Sequence, residues 1–207
     1  MVALVRDEAR AMAVLSASDA DIMATLTQDW SHDAPPDWLE ALSERSLNLP
    51  RPDLGSAEAA ARLAVAADPP RAHVWARLAW LETQAAGGAV NAAALDALAR
   101  SMDACPLCSQ ELIGWRFNFV LANWPSIPDP LRRRAFEHAD LLRWIGPNAE
   151  FLAEMRVKAK ENGIPFDECR AAVEPPVRPW DIMAGGGRPP AWPPGGSLAG
   201  AGHGRNH

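Results

Sequence analysis

Three stretches of this chain repeat one arithmetic. Ala57, Ala61, Ala64 and Pro69 recur as Ala94, Leu98, Ser101 and Pro106, and again as Ala135, Ala139, Leu142 and Pro147, with steps of 4, 3 and 5 each time. Residues three and four apart lie on one face of an α-helix. The closing proline cannot continue a helix, because it lacks the backbone N–H and its ring clashes with the preceding turn. Each stretch therefore reads as a helix with a narrow stripe of mostly small residues and a fixed end. Such a stripe lets a second helix approach closely, so the unit it favours is a hairpin of two helices. The residue supply agrees: 48% of the chain is apolar, Tyr is absent, and Ala and Leu outweigh the β-branched residues that strands draw on.

The first two stretches are each followed by a second helical pattern, Trp75-x-x-Leu78-Ala79 and Leu112-x-x-Trp115-x-x-x-Phe119. With the stripes and prolines, residues 56–161 resemble the tetratricopeptide repeat, whose signature runs W-x₂-L-G-x₂-Y, then A-x₃-F, then Pro. Equivalent prolines stand 37 and 41 residues apart, against about 34 in that family. The surplus falls in Gly87-Gly88 and Pro125–Pro128, where loops absorb insertions at small cost. Glu82 stands where the family has an aromatic, and the third stretch lacks an evident partner helix.

The resemblance implies an all-α chain, a short TPR-like solenoid of helix hairpins with N-terminal capping helices, Trp30 and Trp38 covering the open end. It also implies a concave groove lined by the first helix of each pair. Carried over, the groove residues are His73, Ala76, Trp80 and Thr83 in one unit and Gln110, Ile113, Phe117 and Val120 in the next. Trp80 and Phe117 then become equivalent. The result is an apolar groove, flanked by His73 and Gln110, for a peptide or helix with hydrophobic anchors. Two other readings stand beside it: flanking helices bury both rings, or the groove is an interface between copies of the chain.

Elsewhere, helical patterns are read over Val2–Leu15, from a Ser18 cap to Trp30, and from Pro35-Pro36-Asp37 to before Pro50. Ser56 opens the first striped helix and Asn91 caps the second. Gly146-Pro147 and Asn162-Gly163 punctuate later helices, and Phe166–Val173 adds a turn or two. The last 34 residues hold 7 Pro and 8 Gly without periodicity, a composition that cannot bury enough apolar surface to offset ordering. The expected organisation is 1–55 as N-terminal capping helices, 56–173 as the helical repeat region, and 174–207 as a disordered Pro/Gly-rich tail. Trp180 and Trp192 in that tail suit a short linear docking segment.

A net charge of −6 and a pI near 5.4 argue against the basic face that nucleic acid or an anionic membrane demands. No stretch approaches the roughly 20 apolar residues that span a bilayer. Arg6, Asp7 and Glu8 fall too early for the apolar region of a signal peptide, so cytoplasmic residence is the expectation. Lys158 and Lys160 are the only lysines. That scarcity, with the Ala, Arg, Pro and Gly bias, is what a GC-rich bacterial genome encodes. In composition and repeat style the chain also looks like small Ala-rich bacterial helical-repeat proteins, some of which accompany cell-envelope polysaccharide machinery.

Chemistry is sparse. Cys105-Pro106-Leu107-Cys108 lacks the second ligand pair of a structural zinc, offering only distant Cys169, His138 and His73, and lacks the strand that feeds a thioredoxin-type pair. With three cysteines no disulfide framework is expected, and the pair is read as part of an inter-helix turn, with metal or redox use as the alternative. Arg132-Arg133-Arg134 is read as a solvated face paired with Glu137 and Asp140 rather than a phosphate site. Gly185-Gly186-Gly187 and the glycines around His203 neither follow a strand nor open a helix. No Ser–His–Asp or Cys–His arrangement is present, so the expectation is a non-enzymatic scaffold for a protein partner, without cofactor or metal.

Overall fold

The structure, a computed structural model, describes residues 2–28, 30, 34–145 and 149–173. Expectations for 174–207, including Trp180 and Trp192, and for the Pro147 turn lie outside them. Among the described residues the chain is all-helical. The helices are α1 (Val2–Ser16), α2 (Asp19–Leu26), α3 (Pro36–Leu47), α4 (Leu54–Ala67), α5 (Ala72–Ala85), α6 (Ala92–Ala104), α7 (Gln110–Ala122), α8 (Asp129–Ile145), α9 (Ala149–Glu161) and α10 (Phe166–Val173). A 3-10 turn at Trp124–Ser126 sits between α7 and α8.

Local chemistry sets the boundaries. Ser18 accepts a hydrogen bond from Asp21 N at 3.2 Å, and Asn91 Oδ1 accepts one from Ala94 N at 2.8 Å, each quenching an orphan donor of the first turn. α4 begins before Ser56, because Asp53 is its cap: the carboxylate accepts from Ser56 N at 3.0 Å and from Ser56 Oγ at 2.8 Å. Ser109 caps α7 in the same way, accepting from Leu112 N at 3.1 Å. α2 stops at Leu26 rather than reaching Trp30.

α5 ends on two left-handed glycines, Gly87 (φ 68°) and Gly88 (φ 90°). Gly88 N donates to Thr83 O at 2.8 Å, so the last carbonyls are satisfied by a chain reversal that L-residues resist. A Cβ at Gly87 would meet no atom within 4 Å. Gly87→Ala therefore carries a purely conformational penalty. A loss of about 1 kcal/mol is expected in urea unfolding, and an unchanged midpoint would contradict the assigned turn.

By contacts the chain divides into two compact units, Met1–Cys108 and Ser109–His207. In the first, α1 packs on α3, α3 on α4, α4 on α5 and α5 on α6, with α2 beside α3. Val14, Ile22, Ala41, Leu42, Leu49 and Ala60 form a core cluster at the N-terminal end, against which Trp30 and Trp38 lie half-buried. Arg71 ties this layer together. Its guanidinium pairs with Asp37, with Glu40 at 2.7 Å and with Asp68 at 2.9 Å. In the second unit α7 packs on α8 and α9, and α10 packs on both α8 and α9.

The recurring stripe is buried wherever its side chains are described. Ala57, Ala61, Ala64, Ala94, Leu98, Ser101, Ala135 and Ala139 each expose 2% or less of their surface, while Pro69 and Pro106 sit exposed at turns. Ser101 shows how a polar atom fits such a position: its hydroxyl donates to the Ala72 carbonyl on α5 at 2.7 Å. The Trp of the first hairpin is tied to the turn proline, Trp75 Nε1 donating to Pro69 O at 2.8 Å. The Arg100 guanidinium lies over the face of that ring, 5.0 Å from its centroid.

Candidate functional site

The residues expected to line a groove divide sharply by environment. On α5, two helical turns separate His73 from Trp80 on one face; His73 is exposed and Trp80 half-buried. Between and beyond them Ala76 and Thr83 are buried, and the Thr83 hydroxyl bonds to Ala79 O at 2.8 Å. This face therefore presents one large ring and one imidazole above small, covered residues.

On α7, Gln110 is exposed, but Ile113, Phe117 and Val120 are fully buried. The Phe117 ring meets Phe136 edge-on at 4.8 Å between centroids, with Phe166 at 6.2 Å and Phe151 at 6.3 Å. Phe136 and Phe166 lie 5.4 Å apart. Rings from α8, α9 and α10 thus close over the face of α7 that the repeat pattern leaves open. Ile113 and Phe117 are core of the second unit rather than lining of an open groove. Gly114 on the same helix admits Phe151, whose Cε2 lies 3.3 Å from where a Cβ would stand. His73 and Trp80 belong to the first unit, and Gln110, Ile113 and Phe117 to the second.

Arg116 was not singled out from sequence, and Arg132, read there as part of a solvated face, is buried. Arg116 falls on the buried stripe of α7 with Leu112, Ile113, Phe117 and Val120. Burial first, and neighbouring Arg134 second, push its pKa down to about 10, which leaves it protonated at neutral pH. Arg132 is a corner piece. Its Nε and Nη2 donate to the Trp124 carbonyl at 3.1 and 2.5 Å, its Nη1 donates to Asp129 at 2.9 Å, and its plane lies 4.4 Å over the Trp124 ring. Arg133 pairs with Glu137 at 3.3 Å, whereas Asp140 pairs with Arg170 at 3.5 Å. The basic run is thus largely consumed in holding α8. A depression of roughly 400 Å³ between α9 and α10 is lined by Arg156, Lys160, Ile164 and Phe166, with Asp167 pairing Arg156 across it.

Cys105 and Cys108 are joined as a disulfide in the turn between α6 and α7, with Cα atoms 5.5 Å apart. Cys105 is half-buried; Pro106, Leu107 and Cys108 are exposed. A ring this short removes only about 2 kcal/mol of unfolded-chain entropy, the low end of what disulfides contribute. Cys169 is its opposite, fully buried on α10 with burial, and then Glu168, pushing the thiol up to about 11. Among the described residues no three His, Cys, Asp or Glu side chains converge as a metal site, and no helix is long and apolar enough to cross a membrane. Comparison with known proteins gives no matching family model, no matching curated protein and no matching solved structure.

Proposed function

We propose that the chain is a non-enzymatic protein-interaction scaffold built on tetratricopeptide-like helix pairs. The observation behind this reading is the shared environment of the stripe: its described side chains on α4, α6 and α8 are all buried, and the main packing in the first unit runs from each helix to a near neighbour in the chain. Serial packing of hairpins is the arrangement in which each unit buries its face only against adjacent units. Burial of Phe117 and Ile113 narrows the presented surface to the His73–Trp80 face of α5. A half-buried indole with an exposed imidazole two turns away on the same face suits an apolar anchor on a helix or extended peptide of a protein partner.

Site-specific photocrosslinking tests this directly. A photoreactive residue at His73 should give discrete covalent adducts with one partner, lost when Trp80→Ala is added. The same residue at exposed Val157 on α9 should not. Equal adduct patterns from both positions, in protein with unchanged helical circular dichroism, would remove the α5 face from consideration.

A further inference from the structure

We propose that Cys105 and Cys108 form a reversible thiol–disulfide exchange site, with Cys108 the exchanging sulfur, Cys105 the resolving one, and small thiols, dithiols and their disulfides as substrates. This is independent of the scaffold reading. The ring spans Pro106 and Leu107, and Leu107 is 46% exposed, so an external sulfur can reach the turn. The flanking helix ends are closed by other groups. Cys105 N donates to Ser101 O at 3.5 Å, and the Ser109 hydroxyl accepts from Leu112 N at 3.1 Å. Opening the ring therefore releases neither α6 nor α7, as a switchable bond requires. A ring of four residues also does little to confine the unfolded chain, so holding the fold is a poor account of it. The third thiol, Cys169, is sealed inside α10's packing and stays out of the exchange.

Exposure assigns the roles. An incoming thiolate attacks Cys108 Sγ; the Cys105–Cys108 bond breaks as a new S–S bond forms between the incoming sulfur and Cys108. Cys105 leaves with the electron pair and takes a proton from water. A second thiol, deprotonated to water, then attacks the external sulfur of the mixed disulfide and expels Cys108 as a thiolate, which is protonated in turn. Two external thiols are oxidised to one disulfide, and the ring is reduced to a dithiol by two electrons and two protons. The reverse runs through the same mixed disulfide on Cys108, with Cys105 closing the ring.

The test uses the full chain in glutathione buffers of graded reduced-to-oxidised ratio, quenched with acid, alkylated and read by mass. The ring should open and close within that series while helical circular dichroism holds constant and Cys169 stays unmodified. Cys105→Ser should trap glutathione on Cys108 at least about 10-fold faster than Cys108→Ser traps it on Cys105. A pair that stays oxidised at the most reducing ratio, or stays reduced in oxidised glutathione, overturns the proposal. So does loss of helix on reduction, equal trapping by the two variants, or a stoichiometric zinc ion retained by the reduced pair.

Discussion

Phe117→Ala is expected to cost about 3–5 kcal/mol, the range for deleting a buried ring. Phe117 is fully buried, and three further rings close around it from three different helices, so its removal leaves a cavity that none of them can fill without leaving another partner. Guanidinium unfolding followed by tryptophan fluorescence measures it, Trp124 in the same unit being buried 6.1 Å from Phe136. Val157→Ala, on the exposed side of α9, should fall within about 0.5 kcal/mol of wild type and serves as the control. A loss below about 1 kcal/mol for Phe117→Ala would mean that the face of α7 is accessible, and would restore Phe117 to the groove that the repeat pattern implies.

The opposite change makes the second large effect. Ala61→Leu is expected to destabilise by about 1–3 kcal/mol or more, because α4 is packed on one side by α3 and on the other by α5, and Ala61 has no exposed surface to grow into. Urea titration of both variants measures it: Ala59→Leu, exposed on the same helix, should be close to neutral. Both substitutions have the same propensity cost, so their difference isolates close approach of the helices. Equal midpoints would show that the stripe is alanine by composition alone and not by packing.

Helices were legible in this sequence because their ends are written in local chemistry. Ser18, Asn91, the Gly87-Gly88 pair and Asn162-Gly163 act within a few residues of themselves, and each lies at an end the structure displays. Ser109 is an equally local cap, masked in the sequence by its place beside Cys108 in the inter-helix turn. Ser56 reads as the opening of α4, whereas Asp53 caps the helix three residues earlier. The surface was far less legible. Whether Phe117 meets solvent depends on Phe136, Phe151 and Phe166, which are 19, 34 and 49 residues further along, and no period in α7 reveals whether another element covers it. Arg116 is a different case. Its four-residue spacing from Leu112 and from Val120 sets it on their face of α7, and only its charge argues against burial.

The sealed alanines of α4 also restrict how this protein can change by descent. Single-base changes in an alanine codon lead to Val, Thr, Pro, Asp, Glu, Gly or Ser. Most of these add bulk or charge where no room exists, Pro breaks the helix, and Gly weakens it. Serine is the tolerable neighbour, provided a carbonyl lies within reach, and position 101 holds such a serine, answered by Ala72 O. Lineages carrying this chain should therefore keep alanine along α4, trade it for serine where an acceptor stands opposite, and admit larger residues only when the facing helix changes with it.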